Sequence, residues 1–377
     1  MASVTSPAIR ESLTVLERTS DWTAYRDAYQ DLSSALLDEM FPEWQRSVFT
    51  SVEIPDETLK ILTQYAKGGK KMRGAMVLLG YQCAGGTDLE TIMRSSVAYE
   101  LIHSAFLIHD DIMDRSKTRR NLETAHVAFS KLGQLVGAED PDQFGVSMAI
   151  NTGDIAPAMA YNVVCSEPIP PQRVIAGMVH LNTVIINTVL GQFLDVATFV
   201  DQAPDEEDIL KIHELKTAVY TVSGALQFGA VLAGAKETAE GRETFEALAR
   251  FGIPVGIAFQ IQDDYLGMFS TEDELGKSVT SDLEERKNTL LFLHTLADGD
   301  ADQANLLREA LGSHDLKPDY VERVKAAIRD SGAGDYSAAK AHELVEVGRA
   351  EVNGVTDDER LQNLLVALAR FVISRGF

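Results

Sequence analysis

Residues 101–114 read LIHSAFLIHDDIMD, an apolar stretch that ends in the acidic motif Asp110-Asp111-Ile-Met-Asp114. Its apolar residues recur at three- and four-residue spacing, which predicts a helix. Asp110 and Asp114 are four residues apart, so they share one face of that helix. Magnesium is often held by one or two carboxylates together with water and phosphate oxygens. The motif therefore indicates phosphate chemistry, although a solvated helix end would show the same residues.

Helical periodicity continues along most of the 377 residues, and the alternation typical of strands is nearly absent, so the predicted fold class is all-α. Thr87-Asp88-Leu89-Glu90 has the pattern of a capping box and predicts the start of the helix that runs to about Asp114. None of the predicted breaks resembles an interdomain linker, which favours one helical domain. These breaks are Gly68-Gly69 and residues 139–143, 168–171, 202–206, 298–301 and 331–334.

The charge balance restricts the partners. With 34 basic and 57 acidic residues the net charge is −23, which argues against a general basic field for nucleic acid or an anionic membrane. The two cysteines, Cys83 and Cys165, are too few for a disulfide framework and indicate a reducing compartment. No signal peptide is recognisable, and no apolar run approaches the ~18 residues of a membrane span. We therefore expect a cytoplasmic protein without a stable membrane anchor.

A second acidic pair interrupts another apolar helical stretch, AFQIQDDYLGMF at residues 258–269. Gln260, one of the pair Asp263 and Asp264, and Gly267 fall on one face of the predicted helix. Two such helices in a bundle could place carboxylates on both sides of a group of metal ions. The two motifs together are more specific than either one alone.

Short basic clusters accompany the acidic motifs, which is unusual in so acidic a chain. Arginine and lysine are the side chains that bind diphosphate oxygens, and glycine lets the backbone approach such a ligand closely. A solvated surface is the alternative for any single cluster. The clusters contain Lys70 and Arg73 in GGKKMRG, Arg119 and Arg120, Lys216 in LKTAVYT, and Lys277 and Lys287 in GKSVTSDLEERKNT.

His103 lies seven residues before Asp110, two turns back on about the same face, and could donate to a phosphate. A different class of site is also possible, because Glu100-x-x-His103 and Glu123-x-x-His126 both have the pattern of helical di-iron proteins. The two copies are only 23 residues apart, since 126 − 103 = 23, which is crowded for two helices that face one metal pair.

Taken together, these residues resemble the trans-isoprenyl diphosphate synthase family, which includes farnesyl and geranylgeranyl diphosphate synthases. The resemblance runs in the family's order from GGKKMRG through ELIHSAFLIHDDIMDRSKTRR, NTGD, GQFLD, LKTAVYT and FQIQDD to GKSVTSDLEERKNT. It implies a single helical domain over residues 1–377 with a central cavity, an N-terminal extension of about residues 1–30, and a homodimer. The implied reaction is condensation of isopentenyl diphosphate with an allylic diphosphate.

The resemblance also implies a role for each matching residue. Lys70, Arg73, His103 and Arg120 would bind isopentenyl diphosphate, and Arg119, Lys216 and Lys277 the allylic diphosphate. Asp110, Asp114 and Asp263 would bind three Mg²⁺ ions, supported by Asp111 and Asp264. Gln192 and Asp195 of GQFLD would line the cavity, and Lys216, Thr217 and Gln260 would lie beside the reacting carbon.

Three positions depart from the usual family pattern. Gly74 replaces a common proline and Asn121 a common glycine, and both are expected to be tolerable loop changes. Gly267 stands where the second motif often has a third aspartate. Phe106 and Ala105, one turn before Asp110, are expected to set product length, with a C20 product favoured and C15 next. The alternatives are a class I terpene cyclase and a noncatalytic partner subunit.

Overall fold

The computed structural model describes residues 6–47, 56–197, 204–271, 280–314 and 316–374. These residues are almost entirely helical, which confirms the all-α prediction. The helices are α1 (Pro7–Arg18), α2 (Trp22–Ser47), α3 (Asp56–Lys67), α4 (Met72–Cys83), α5 (Met93–Met113), α6 (Ala125–Val136), α7 (Pro141–Cys165), α8 (Pro171–Ala197), α9 (Glu206–Ile212), α10 (Gly224–Ala233), α11 (Ala239–Phe269), α12 (Ser281–Glu284), α13 (Leu290–Asp298), α14 (Ala301–Ala310), α15 (Pro318–Asp330), α16 (Ala333–Ala350), α17 (Val352–Val355) and α18 (Glu359–Ser374). Leu89–Thr91 is a 3₁₀ turn, His213–Ser223 is a π-helical segment, and β1 (Thr118–Arg119) pairs antiparallel with β2 (Leu122–Glu123).

The chain groups into two compact units. The first comprises Met1–Met178 with Phe228–Ala235, and the second Val179–Gln227 with Lys236–Phe377. In the first unit α5 packs against α4 and α7, and in the second α11 packs against the π-helical segment and α16. Each unit carries one of the two aspartate motifs. The extent of the single domain stays a prediction.

Helix α5 ends as predicted, with Asp114 as its C-cap residue, but the predicted start is wrong. Asp88 has an extended backbone and makes no side-chain cap, and α5 begins at Met93 after the 3₁₀ turn. The first turn of α5 is satisfied from elsewhere in the chain, because Glu167 accepts hydrogen bonds from the Ser95 backbone N–H (2.7 Å) and hydroxyl (2.9 Å). A capping group that comes from 72 residues away leaves no local sequence pattern.

The N-terminal helices α1 and α2 belong to the core of the first unit. Trp22, Tyr25 and Tyr29 are at most 1% exposed. The Tyr25 hydroxyl donates to the Gln82 side-chain oxygen at 3.0 Å, which ties α2 to α4. Removing these residues would expose large apolar and aromatic surface.

One face of α8 presents an exposed apolar surface. Helix α8 is long and apolar enough to cross a membrane, which corrects the expectation that no stretch would reach that threshold. Core helices of soluble proteins pass the same test, so this is weak evidence for a membrane span. Isolated exposed apolar residues are common on protein surfaces, but a continuous row of them marks an interaction surface. The row on α8 contains Ile186, Val189, Leu190, Phe193, Leu194 and Val196.

Candidate active site

The aspartates at the end of α5 differ in what they contact. The Asp111 side chain is fully buried and accepts from Arg119 Nε at 2.8 and 2.9 Å and from the Tyr65 hydroxyl at 2.7 Å. Asp110 is partly exposed, and its Oδ2 lies 3.4 Å from Arg119 Nη2. Asp114 is also partly exposed. Asp111 is thus held inside the first unit, whereas Asp110 and Asp114 lie nearer the solvent.

Arg119 and Arg120 are positioned by the small β-hairpin of β1 and β2. Its two-residue turn, Arg120-Asn121, has φ of 53° and 61°, the left-handed conformation that hairpin turns of this kind require. Asparagine adopts this conformation more readily than most residues, which explains how Asn121 replaces the common glycine. The Arg120 guanidinium packs on Gly68 and Gly69, where an added Cβ would overlap it.

The cations of the first unit surround His103. Arg73 Nη1 lies 3.2 Å from His103 Nε2. Burial, followed by the charge of Arg73 and then those of Arg120, Lys71 and Arg119, holds the pKa of His103 well below its usual range. His103 is therefore neutral at physiological pH and carries one ring N–H. Four positive side chains near one neutral histidine make a pocket suited to an anion.

In the second unit Lys216 lies on the π-helical segment, and its Nζ is 2.6 Å from Asp195 Oδ2. An added Cβ at Gly191 of α8 would overlap the Lys216 backbone, so glycine is required for this close packing. The structure thus brings the motifs GQFLD and LKTAVYT together. Asp195 and Lys216, which join them, are 21 residues apart in the sequence. Gln192 lies on the same turn of α8 and is partly exposed.

A chain of hydrogen bonds links the catalytic candidates of the second unit. The Thr217 hydroxyl donates to Gln260 Oε1 at 2.6 Å, and Gln260 Nε2 donates to Asp264 Oδ1 at 2.6 Å. Asp264 Oδ2 lies 3.2 Å from Nε2 of His213, which is 4% exposed. Sequence reasoning missed His213, although its position three residues before Lys216 puts it one turn away. Asp264 is thereby committed to side chains of its own unit.

Gly267, at the departure in the second motif, lies against the carboxylate of Asp282. An added Cβ would lie 2.6 Å from Asp282 Oδ2. Asp282 is buried and its Oδ1 is 3.1 Å from Lys287 Nζ. A carboxylate from the GKSVTSDLEERKNT stretch therefore lies directly beside the position of the missing aspartate.

We expect Gly267→Asp to destabilise the protein, although aspartate is the residue the family often has there. The new carboxylate would be forced against Asp282, adding like-charge repulsion to overpacking that alone costs about 1–3 kcal/mol. Urea unfolding measures the loss. The matched control is Gly354→Asp, because an added Cβ at exposed Gly354 meets nothing closer than 3.8 Å. Equal stability of the two variants would contradict the packing argument.

The donor set fits magnesium rather than a di-iron centre. Over the described residues no three carboxylate, imidazole or thiolate groups converge as a complete metal site. Magnesium does not need one, because it keeps water ligands and uses one or two carboxylates with phosphate oxygens. The second Glu-x-x-His copy is not helical throughout, since Glu123 lies in β2 and pairs with Lys131. These observations disfavour the di-iron alternative.

The remaining predicted site residues are placed as follows. Lys70 is exposed at the start of α4. Ala105 is 2% exposed and Phe106 is partly exposed, one turn before Asp110 on α5. Asp263 is partly exposed on α11. Lys277 lies outside the described residues.

Comparison with known proteins identifies the family. Residues 55–329 match the profile of the family described as Polyprenyl synthetase. A geranylgeranyl pyrophosphate synthase from Geoglobus acetivorans is 30% identical over 322 residues, 85% of this chain and 92% of that protein. A geranylgeranyl diphosphate synthase from Methanosarcina mazei is 30% identical over 344 residues, 91% of this chain and 94% of that protein.

The fold comparison agrees with the sequence comparison. A geranylgeranyl pyrophosphate synthase from Corynebacterium glutamicum, solved with isoprenyl diphosphate and magnesium, superposes with a TM-score of 0.85 at 26% identity. The match covers 94% of this chain and all of that one. The chain belongs to the polyprenyl synthetase family and is a trans-prenyltransferase, which confirms the resemblance.

Proposed function

We propose that this chain condenses isopentenyl diphosphate with allylic diphosphates to make a short-chain isoprenyl diphosphate. The observation that carries the proposal is the set of cations around His103 in a protein of net charge −23. Asp111 and Glu100 already pair with Arg119 and Lys71, and a diphosphate would supply several more negative oxygens for the guanidinium groups of Arg73 and Arg120. The printed names of the Geoglobus and Methanosarcina relatives support the same substrate class.

Each group of side chains has a role in this proposal. Lys70, Arg73, His103 and Arg120 bind the diphosphate of isopentenyl diphosphate. Arg119, Lys216 and Lys277 bind the allylic diphosphate. Asp110, Asp114 and Asp263 would hold Mg²⁺, with three ions expected and with Asp111 and Asp264 in support.

The chemistry follows from charge stabilisation, and it needs no side-chain nucleophile. Asp110, Asp114 and Asp263 would hold magnesium, which when bound would neutralise charge on the departing pyrophosphate as a Lewis acid. The side chains of Arg119 and Lys216 add fixed positive charge where negative charge develops. The allylic C–O bond breaks, the alkene of isopentenyl diphosphate forms the new C–C bond, and a proton leaves to the released pyrophosphate. Thr217 and Gln260, joined by a 2.6 Å hydrogen bond, are held as fixed dipoles beside the reacting carbon.

We further propose that the product is C20 geranylgeranyl diphosphate, with C15 farnesyl diphosphate next. Phe106 is four residues before Asp110 on α5 and therefore shares its helix face. A tail that grows from a diphosphate at Asp110 would meet this ring first. Ala105 beside it has a small side chain and is 2% exposed, so Phe106 is the bulky group on this turn.

Replacing Phe106 with alanine should lengthen the main product by at least five carbons. The ring would no longer block the growing tail, while the first condensation should continue at a similar rate. Chromatography of the dephosphorylated products measures the change. Leu135→Ala on α6, where the leucine is 84% exposed, is the control and should leave the distribution unaltered. An unchanged distribution in Phe106→Ala would remove this side chain from the length-determining wall.

A homodimer in the cytoplasm is the proposed assembly and location. The apolar row on α8 supports the assembly, since Ile186 is 59% and Phe193 is 66% exposed. Burying such a surface stabilises association by about 25 cal/mol per Å² before the entropic cost of binding. Sedimentation of the protein and of Phe193→Asp tests it. We expect a dimer for the former and a shift toward monomer for the variant.

The site residues argue against both alternatives. A class I terpene cyclase binds no second diphosphate, so it would not need Arg73, His103 and Arg120 as a binding site for one. A noncatalytic partner subunit would need the aspartates to be dispensable, yet Asp110 and Asp114 both remain at the end of α5.

The decisive experiment incubates the purified chain with Mg²⁺, labelled isopentenyl diphosphate and each of the C5, C10 and C15 allylic diphosphates. We expect a product ladder that ends at C20. A cyclic hydrocarbon formed from the allylic diphosphate alone would favour the cyclase. No incorporation unless a second subunit is added would favour the partner subunit.

A further inference from the structure

Glu100 is a buried carboxylate that the proposed reaction does not use directly. It lies on α5 one turn before His103 and is 3% exposed. Its Oε1 accepts a hydrogen bond from the Gly74 backbone N–H at 2.8 Å. Its Oε2 lies 3.8 Å from Nζ of Lys71, whose side chain is also 3% exposed. Losing either partner would leave the buried Glu100 charge poorly compensated, which is costly. The carboxylate therefore holds the backbone at Gly74 in place.

That backbone is the first turn of α4, which carries Arg73. Lys71 is the N-cap residue of α4, so Gly74 is its third helical residue. The N–H groups of the first turn have no partner within a helix, and Glu100 accepts one of them. The carboxylate also lies at the positive end of the helix dipole. Gly74 is thus part of α4, which corrects the expectation that it lies in a loop, and the proline common in the family would have no N–H to donate.

Lys71 extends the same arrangement to α3. Its backbone is left-handed, with φ of 51°, and its Nζ donates to the carbonyl oxygen of Ala66 in the last turn of α3. One lysine therefore links the end of α3, the start of α4 and Glu100 of α5. Burial lowers the pKa of Lys71 to about 8, and the Glu100 charge opposes that shift. The glycine pair Gly68-Gly69 is held between these two helix ends.

Tyr29 of α2 closes the remaining side. It is 0% exposed, and a Cβ added at Gly74 would overlap its hydroxyl. Burial, with the Glu100 charge second, raises the pKa of Tyr29 well above its usual range, so the hydroxyl stays protonated. The absence of a side chain at Gly74 lets Tyr29 pack on the first turn of α4.

We propose that Glu100 is a positioning residue for isopentenyl diphosphate: through Gly74 and Lys71 it fixes the first turn of α4 so that Arg73 meets His103. Tyr29 of α2 packs on this turn, so the N-terminal part of the chain also contributes to binding of isopentenyl diphosphate. The inference rests on the proposed function, because it concerns how Arg73 and His103 bind the diphosphate of isopentenyl diphosphate. It predicts different effects on the two substrates. The described contacts of Glu100 are with Gly74 and Lys71, which flank Arg73, and not with Lys216.

The test compares Glu100→Leu with Glu100→Gln. Leucine removes both the charge and the acceptor for the Gly74 N–H, whereas glutamine keeps the acceptor. Loss of a charge-assisted bond corresponds to about a 10- to 100-fold change, and loss of charge alone to less. We expect KM for isopentenyl diphosphate to rise about 10- to 100-fold in Glu100→Leu and about three- to tenfold in Glu100→Gln. KM for the allylic diphosphate should stay within about twofold of its normal value.

The readouts distinguish positioning from mere stability. A purely structural role would lower the amount of folded enzyme and leave both KM values unchanged, which would overturn the inference. Should Glu100→Leu not fold, Glu100→Gln decides alone: an unchanged KM for isopentenyl diphosphate overturns the inference. If the unsubstituted protein makes no product with any primer, the proposed function itself fails. Failure of the inference and failure of the proposed function therefore give different results: an unchanged KM for isopentenyl diphosphate in the first case and no product at all in the second.

Discussion

Asp110→Asn should abolish prenyl transfer while the protein stays folded. Asparagine keeps the shape of the side chain but removes the charge that we assign to magnesium. Removing one preorganised electrostatic group from an active site typically costs on the order of 10²- to 10³-fold in rate. We expect at least this loss in kcat, and a higher magnesium concentration for half-maximal activity in whatever turnover remains.

Stability should change little in the same variant. Asp110 is partly exposed and lies in the last turn of α5, where a negative charge opposes the helix dipole. Loss of its 3.4 Å pairing with Arg119 is therefore offset, and we expect a change within about 0.5 kcal/mol in the free energy of unfolding. Asp357→Asn, at an exposed aspartate before α18, is the matched control. Full activity of Asp110→Asn with an unaltered magnesium requirement would remove the metal assignment.

The sequence predicts those parts of the fold that local chemistry determines. The end of α5 follows from an apolar periodicity that stops at Asp114, and the break before α4 follows from Gly68-Gly69. The breaks near residues 139–143, 168–171, 298–301 and 331–334 are also confirmed by helix ends. Each of these features depends on residues within one or two turns of each other.

The features that sequence reasoning missed depend on distant partners. Thr87 to Glu90 has the pattern of a helix start, yet the first turn of α5 is capped by Glu167. The sequence shows Gly74 only as a replacement for a common proline, and its partner Glu100 is 26 residues away. A periodicity argument compares neighbours along one helix, so it cannot identify an acceptor that another helix supplies.

In the candidate site, too, the sequence predicts which residues take part but not their distant partners. The family resemblance predicts Lys216, Asp195 and Gln260 as site residues, but the sequence does not show how they pair. Asp195 binds Lys216 at 2.6 Å, and His213 adds a contact to Asp264 that no motif indicated. The number and position of bound ions depend on substrate oxygens as well as protein ligands, so they stay predictions.

Arg119→Gln should have the largest effect on stability of any single change in this region. Asp111 is fully buried and receives two hydrogen bonds from Arg119 Nε, at 2.8 and 2.9 Å. Without Arg119 the described donor left to Asp111 is the Tyr65 hydroxyl. Burial, with the Asp111 charge next, raises the pKa of Tyr65, so this hydroxyl remains a neutral donor. Breaking a buried ion pair from one side typically costs about 3–5 kcal/mol.

A double-mutant cycle in urea separates the pair from its surroundings. We expect Arg119→Gln to lose about 3–5 kcal/mol of unfolding free energy, and the double variant with Asp111→Asn to recover part of it. Recovery follows because no charge is then buried without a counter-charge. Arg94→Gln is the control, since the Arg94–Glu43 pair is exposed and at 3.2 Å should contribute only about 0–1 kcal/mol. If Arg119→Gln and Arg94→Gln cost the same, Asp111 must be charge-balanced by another group, and its support of the aspartate motif cannot depend on Arg119.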